Sequence, residues 1–137
     1  MLIDEGMRFC TLFSIVQRHE QGMEPEAVTL LSELKPFLRD EREVSEWPGT
    51  KLFAGMATLR EYELTEPSHL VLIGAARGLY DWCQPRRPED LVLWRAEGEP
   101  WLVSIAHERD GYLVLSPSEW GEIVERSPRL GRLASAS

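Results

Sequence analysis

Residues 90–125 read DLVLWRAEGEPWLVSIAHERDGYLVLSPSEWGEIVE, an alternation of apolar and polar side chains broken by two turn signals and closed by a helical pattern. The pattern predicts strand, turn, strand, turn, strand and helix. Asp110-Gly111 reads as a two-residue type I′ turn, because both residues tolerate positive φ. That turn would set Arg109 opposite Tyr112, His107 opposite Val114 and Ile105 opposite Ser116. A similar turn at Gly98-Glu99 would pair residues 91–97 with 100–106.

Alternation then sorts the side chains onto two faces. One carries Val92, Trp94, Ala96, Trp101, Val103, Ile105, His107, Tyr112 and Val114. The other carries Leu91, Leu93, Arg95, Leu102, Ser104, Ala106, Glu108, Leu113 and Leu115. The first face, with two tryptophans and β-branched neighbours, is expected to be the core face under the helices, each large side chain contributing about 1.5–3 kcal/mol when buried. The second, where Arg95, Ser104 and Glu108 interrupt the leucines, is expected to be partly covered or open to a partner. The run His107-Glu108-Arg109-Asp110 is split by the same alternation, so it reads as a hairpin corner with His107 its one candidate for chemistry. Ser116, Pro117 and Glu119 form a capping box that starts the last helix, and Trp120, Ile123 and Val124 share one side of it.

Upstream, residues 4–21 place Phe9, Leu12, Phe13 and Val16 at helical spacing with Gly22 just beyond, which predicts a helix; a strand through residues 7–16 is the competing reading, because the run is aromatic and β-branched. A second amphipathic helix opens at Pro25 and repeats Val28, Leu31, Leu34 and Leu38, with a kink or stop at Pro36. Residues 45–64 read as a loop followed by an edge strand near 59–64. After Thr65-Glu66-Pro67-Ser68, a helix-start pattern, residues 69–83 leave almost no polar stripe and predict a central, mostly buried helix. The expected fold is α+β: N-terminal helices and a central buried helix on a small antiparallel sheet, with a C-terminal helix. Residues 1–128 are expected to form one domain and residues 129–137 a frayed tail.

A formal charge of −8, from 23 acids against 15 Lys and Arg, disfavours direct binding to nucleic acid or anionic membranes and favours basic partners. No apolar run is long enough to cross a bilayer, and a cytoplasmic location is expected. Cys10 and Cys83 belong to no paired-cysteine pattern. His19, His69 and His107 sit in different segments without metal-ligand spacing, so neither a metal nor another cofactor is expected. Arg86 and Arg87, between two prolines, are forks that suit a carboxylate or phosphate but more commonly solvate a loop. For nucleophilic catalysis, Cys83 with His107 is the pair to consider, as in a small hydrolase; a small-ligand sensor is a further alternative.

The preferred reading is a non-catalytic protein that binds a basic partner through Glu43, Glu46, Trp47, Glu119, Trp120 and Glu122, acids flanking tryptophan anchors. In its charge and in the hairpin-strand-helix layout of residues 90–125, the chain resembles the small acidic α+β immunity proteins that bacteria keep beside secreted toxins. The resemblance implies neutralisation of a basic toxin by occlusion of its active site.

Overall fold

The computed structural model describes residues 2–19, 21–75, 81–105 and 108–126. Its elements in chain order are α1 (Leu2–Gly6), β1 (Leu12–Arg18), α2 (Pro25–Leu34) with a 3₁₀ turn Lys35–Phe37, β2 (Leu38–Val44), β3 (Glu46–Trp47), β4 (Thr50–Lys51) and β5 (Ala57–Glu63). They continue with α3 (Glu66–Ala75), β6 (Glu89–Trp94), β7 (Pro100–Ile105), β8 (Asp110–Leu113) and α4 (Pro117–Arg126). Six strands form an antiparallel sheet in the order β2-β5-β1-β6-β7-β8, and β3 and β4 make a separate two-stranded ribbon. The fold is α+β with a C-terminal helix, as the sequence predicts.

The N-terminal segment departs from the predicted helix over 4–21. Only Leu2–Gly6 is helical and residues 12–18 form a central strand. Paired on both sides by β5 and β6, β1 buries Phe13 and Ile15 on one face and Ser14 and Val16 on the other. A helix could bury only one stripe of that run, so a strand forms, as in the competing reading but over 12–18 and not 7–16. The second helix stops at Leu34 and turns 3₁₀ through Pro36, as the missing proline N–H requires. Residues 38–44, LRDEREV, then form an edge strand that apolar periodicity does not announce, because its side chains are charged and solvated. That strand displaces β5 from the predicted edge to the interior, between β2 and β1.

Helix α3 is not the central buried helix expected from residues 69–83. Ser68 and Leu72 are buried, but Leu70 is 58% and Ile73 37% exposed, so the helix lies at the surface against α2 and α1. Residues 76–80 of the predicted span lie outside the described residues.

The two faces of the sheet are also the reverse of the prediction. Leu91, Leu93 and Leu102 join Phe13, Ile15, Tyr62, Leu30, Leu34, Leu72 and Ile123 in the main core beneath the helices, while Val92, Val103 and Ile105, with Trp94, form a small cluster on the second face. Trp101 sits in the main core because the pairing shifts from Leu93↔Leu102 to Trp94↔Pro100, leaving two β7 residues opposite one on β6. Such a bulge brings neighbouring side chains to the same side. The hairpin into β8 pairs Ile105 with Asp110, Ser104 with Gly111 and Leu102 with Leu113. Asp110-Gly111 is thus inside the ladder and not the turn; Arg109 takes the positive φ, 53°, at the corner. Because the slip is an even number of residues, the assignment of side chains to a shared face survives it.

The ribbon β3–β4 folds over the second face. Trp47 packs with Val16, Ala57 and Leu59, and Gly49, at φ 87°, lets the backbone approach Ile105.

Candidate protein-binding site

The side chains singled out in the sequence fall into two groups, one at β2 and the β3–β4 ribbon, which meets the start of β6, and one on α4, which meets the end of β6. Glu43 lies on edge strand β2, exposed, accepting from Thr58 Oγ1 at 2.5 Å and meeting His19 Nε2 at 2.5 Å. These two partners hold the Glu43 carboxyl below its ordinary range, Thr58 first and His19 second. Glu46 is exposed at the start of the ribbon. Trp47 beside it is buried, and its Nε1–H donates to Asp90 Oδ2 at 2.9 Å, so this indole holds the second face together and does not project as an anchor.

Trp47 belongs to a buried polar cluster at one end of the sheet. Arg18 stands 5.3 Å over its ring and pairs with Glu89 at 2.5 Å; Glu89 and Asp90 are both buried. Gln84 closes the cluster, accepting from the Arg18 backbone N–H at 2.6 Å and donating to the carbonyls of Arg18, Gln21 and Gly22. Cys83 donates to Glu89 Oε1 at 3.6 Å. Burial raises the Cys83 thiol pKa, and the Glu89 and Asp90 charges raise it further. The Arg18 charge acts the other way but is outweighed, so the net direction is the opposite of what a catalytic thiol needs. His107 lies outside the described residues.

The other group is built on the capping box. Glu119 Oε1 accepts from the Ser116 backbone N–H at 2.9 Å and Ser116 Oγ accepts from the Glu119 N–H at 3.2 Å, so α4 starts where the sequence places it. Arg95, just past the end of β6, grips the same carboxylate through both terminal nitrogens at 2.7 and 2.5 Å; these hydrogen bonds first, then the Ser116 N–H and the Arg95 charge, take the Glu119 pKa down to about 2 against the opposing effect of burial. Glu122 is exposed and 3.7 Å from Arg8, while Trp120 leans on the main core.

Between α4 and the β6–β7 turn lies a groove of about 600 Å³ lined by Arg95, Glu97, Glu99, Val114, Leu115, Ser116, Ser118 and Glu119. Three carboxylates face one guanidinium, which Glu119 already engages. Glu97 and Glu99 flank Gly98, at φ 90°, in a turn that the sequence places at Gly98-Glu99 but that closes around Ala96-Glu97, with the Gly98 N–H donating to the Arg95 carbonyl at 3.0 Å and the Arg95 N–H to the Glu99 carbonyl at 2.8 Å; the strand pairing shifts with it, to Val92↔Val103 and Leu93↔Leu102. Their place beside Glu119 is hidden in the sequence, because a Gly-containing polar stretch announces a turn and says nothing of which acid-bearing element it faces.

A second concavity, about 560 Å³, separates α2 from α3, with Glu26 and Glu33 on one wall and Arg86 and Arg87 near the other. Arg87 donates to the Ala75 carbonyl, a structural use of one of the two arginines. Among the described residues, no group of three or more His, Cys, Asp or Glu could hold a metal ion, and no helix is long and apolar enough to cross a membrane. Comparison with protein-family models, with curated proteins and with solved structures finds no match to this chain.

Proposed function

We propose that this protein is a non-catalytic binding protein that captures a basic protein, in the manner that its likeness to small acidic immunity proteins implies. The observation that carries the reading is the groove beside α4, where Glu97, Glu99 and Glu119 outnumber Arg95 on a turn, a strand end and a capped helix. A cleft lined by one sign of charge focuses the field and speeds the arrival of a partner of opposite sign. The net charge of −8 acts in the same direction at longer range. Of the two groups of residues expected to bind, the one at Glu119 and Glu122 adjoins this groove; Glu43 and Glu46 form a separate acidic edge whose nearest charges are already engaged. The hydrolase alternative is disfavoured by the carboxylates beside Cys83.

Affinity capture from the producing cells tests the reading, together with co-expression beside the product of any neighbouring toxin-like reading frame. The expected result is one basic protein in stoichiometric amount and relief of that product's toxicity. Recovery of no partner, the neighbouring product included, contradicts it.

A further inference from the structure

The groove continues into a strand edge of unusual character for this molecule. The sheet ends on β2 at one side and on β8 at the other. Strand β2 is defended along its length by Arg39, Asp40, Glu41, Arg42 and Glu43, the charged lining that keeps an edge from pairing with another chain. Strand β8 carries a single charge, Asp110 at its start, and beyond it Tyr112 and, just past the strand's end, Val114, two residues apart and on one face, are 45% and 43% exposed.

The ladder fixes where the β8 main chain points. Val114 N–H donates inward to the Trp101 carbonyl at 2.9 Å, and Tyr112 lies opposite Val103 in the same register. Alternation in an antiparallel pair then turns the main-chain groups of Gly111 and Leu113 away from β7, toward the open edge. The Gly111 N–H is taken up locally by Asp110 Oδ1 at 2.8 Å. Val114 is also a wall of the acidic groove, so apolar edge and negative charge are continuous.

We infer that β8 receives an extended segment of the basic partner as an added strand, with main-chain bonds at Leu113, apolar side chains on Tyr112 and Val114, and a cationic side chain entering the groove at Glu97, Glu99 and Glu119. The inference rests on the basic-partner reading and gives it a mode, strand addition at an edge with charge supplying register. A second copy of the chain is a poorer occupant. Antiparallel self-pairing would bring the groove of one copy against Glu108 and Asp110 of the other, offset by Arg109.

The test uses the labelled full chain and a short synthetic peptide that alternates lysine with valine, read by amide shifts and hydrogen exchange. Binding should slow exchange at Leu113, shift residues 110–114 together with Glu97 and Glu99, and weaken about tenfold or more with Val114→Lys or with a peptide N-methylated at alternate amides. If the peptide shifts Glu97, Glu99 and Glu119 while Leu113 is untouched, strand addition is wrong and the basic-partner reading stands. If the peptide binds nowhere, both fail. Equal binding by a peptide alternating glutamate with valine overturns the basic occupant, and a dimer abolished by Tyr112→Lys identifies the occupant as a second copy.

Discussion

Trp47 and Asp90, forty-three residues apart, meet on the second face of the sheet through a buried hydrogen bond of 2.9 Å from indole Nε1 to carboxylate Oδ2. Thr50 Oγ1 reaches the same oxygen at 3.5 Å. The bond ties the β3–β4 ribbon to the start of β6 and explains why a tryptophan flanked by acids is not a surface anchor. Trp47→Phe keeps most of the apolar contact but removes a donor from a buried carboxylate, so it should cost about 1–3 kcal/mol. Trp47→Ala adds a cavity and should cost about 3–5 kcal/mol. Urea unfolding measures both, and partner affinity of the folded fraction should be unchanged.

Gly49, between the two strands of the same ribbon, faces Ile105 of β7. A methyl group there would stand 2.6 Å from Ile105 Cγ1 and 2.8 Å from Cδ1, on a backbone at φ 87°. Gly49→Ala should therefore destabilise by about 1–3 kcal/mol, combining left-handed strain with overpacking. Gly55→Ala is the control: its φ is 81° but nothing lies within 4 Å of the added methyl, so its loss in thermal melts should be smaller.

The ion pair of Glu119 with Arg95 makes stability depend on acid pH. The folded pKa is about 2 against 4.5 for the free group, so the contribution is complete above about 4.5 and is lost as pH falls toward 2. Because the groove admits solvent, the contribution is about 1–2 kcal/mol, less than the full shift implies. Glu119→Gln should lower stability at neutral pH and flatten the wild-type decline over that window, as chemical unfolding at a series of pH values would show.

Thiol chemistry separates the binding reading from the hydrolase alternative. Cys10 is pushed up to about 12 by burial, and the Cys83 pKa is raised by burial and by Glu89. Both should react slowly with a thiol reagent at neutral pH in the native state and readily after unfolding. Cys83→Ala should leave partner capture intact; fast alkylation of native Cys83 would point back to an activated nucleophile.

How far the sequence could be read depended on how many neighbours a segment has. The C-terminal helix was legible because its capping box is local, with Ser116 and Glu119 satisfying each other. The strands of residues 90–113 are legible by alternation, yet their core face is the reverse of the one expected: two tryptophans outweigh five leucines in the reading, and a bulge at Trp101 moves one of them across. Strand β1 looked helical because a strand buried on both faces loses its alternation. Strand β2 was invisible because an exposed edge needs no apolar face. The acids at 97 and 99 were read as a turn, and their meeting with Glu119 depends on packing between segments that local pattern does not encode.

The dependence of association on ionic strength, measured by stopped flow with the captured partner, bears most directly on electrostatic capture at the groove. The rate constant should fall steeply as salt rises, and Glu97→Lys with Glu99→Lys should slow association and flatten that dependence while the fold is kept. Association indifferent to salt, or unaltered by reversing both charges, would contradict it.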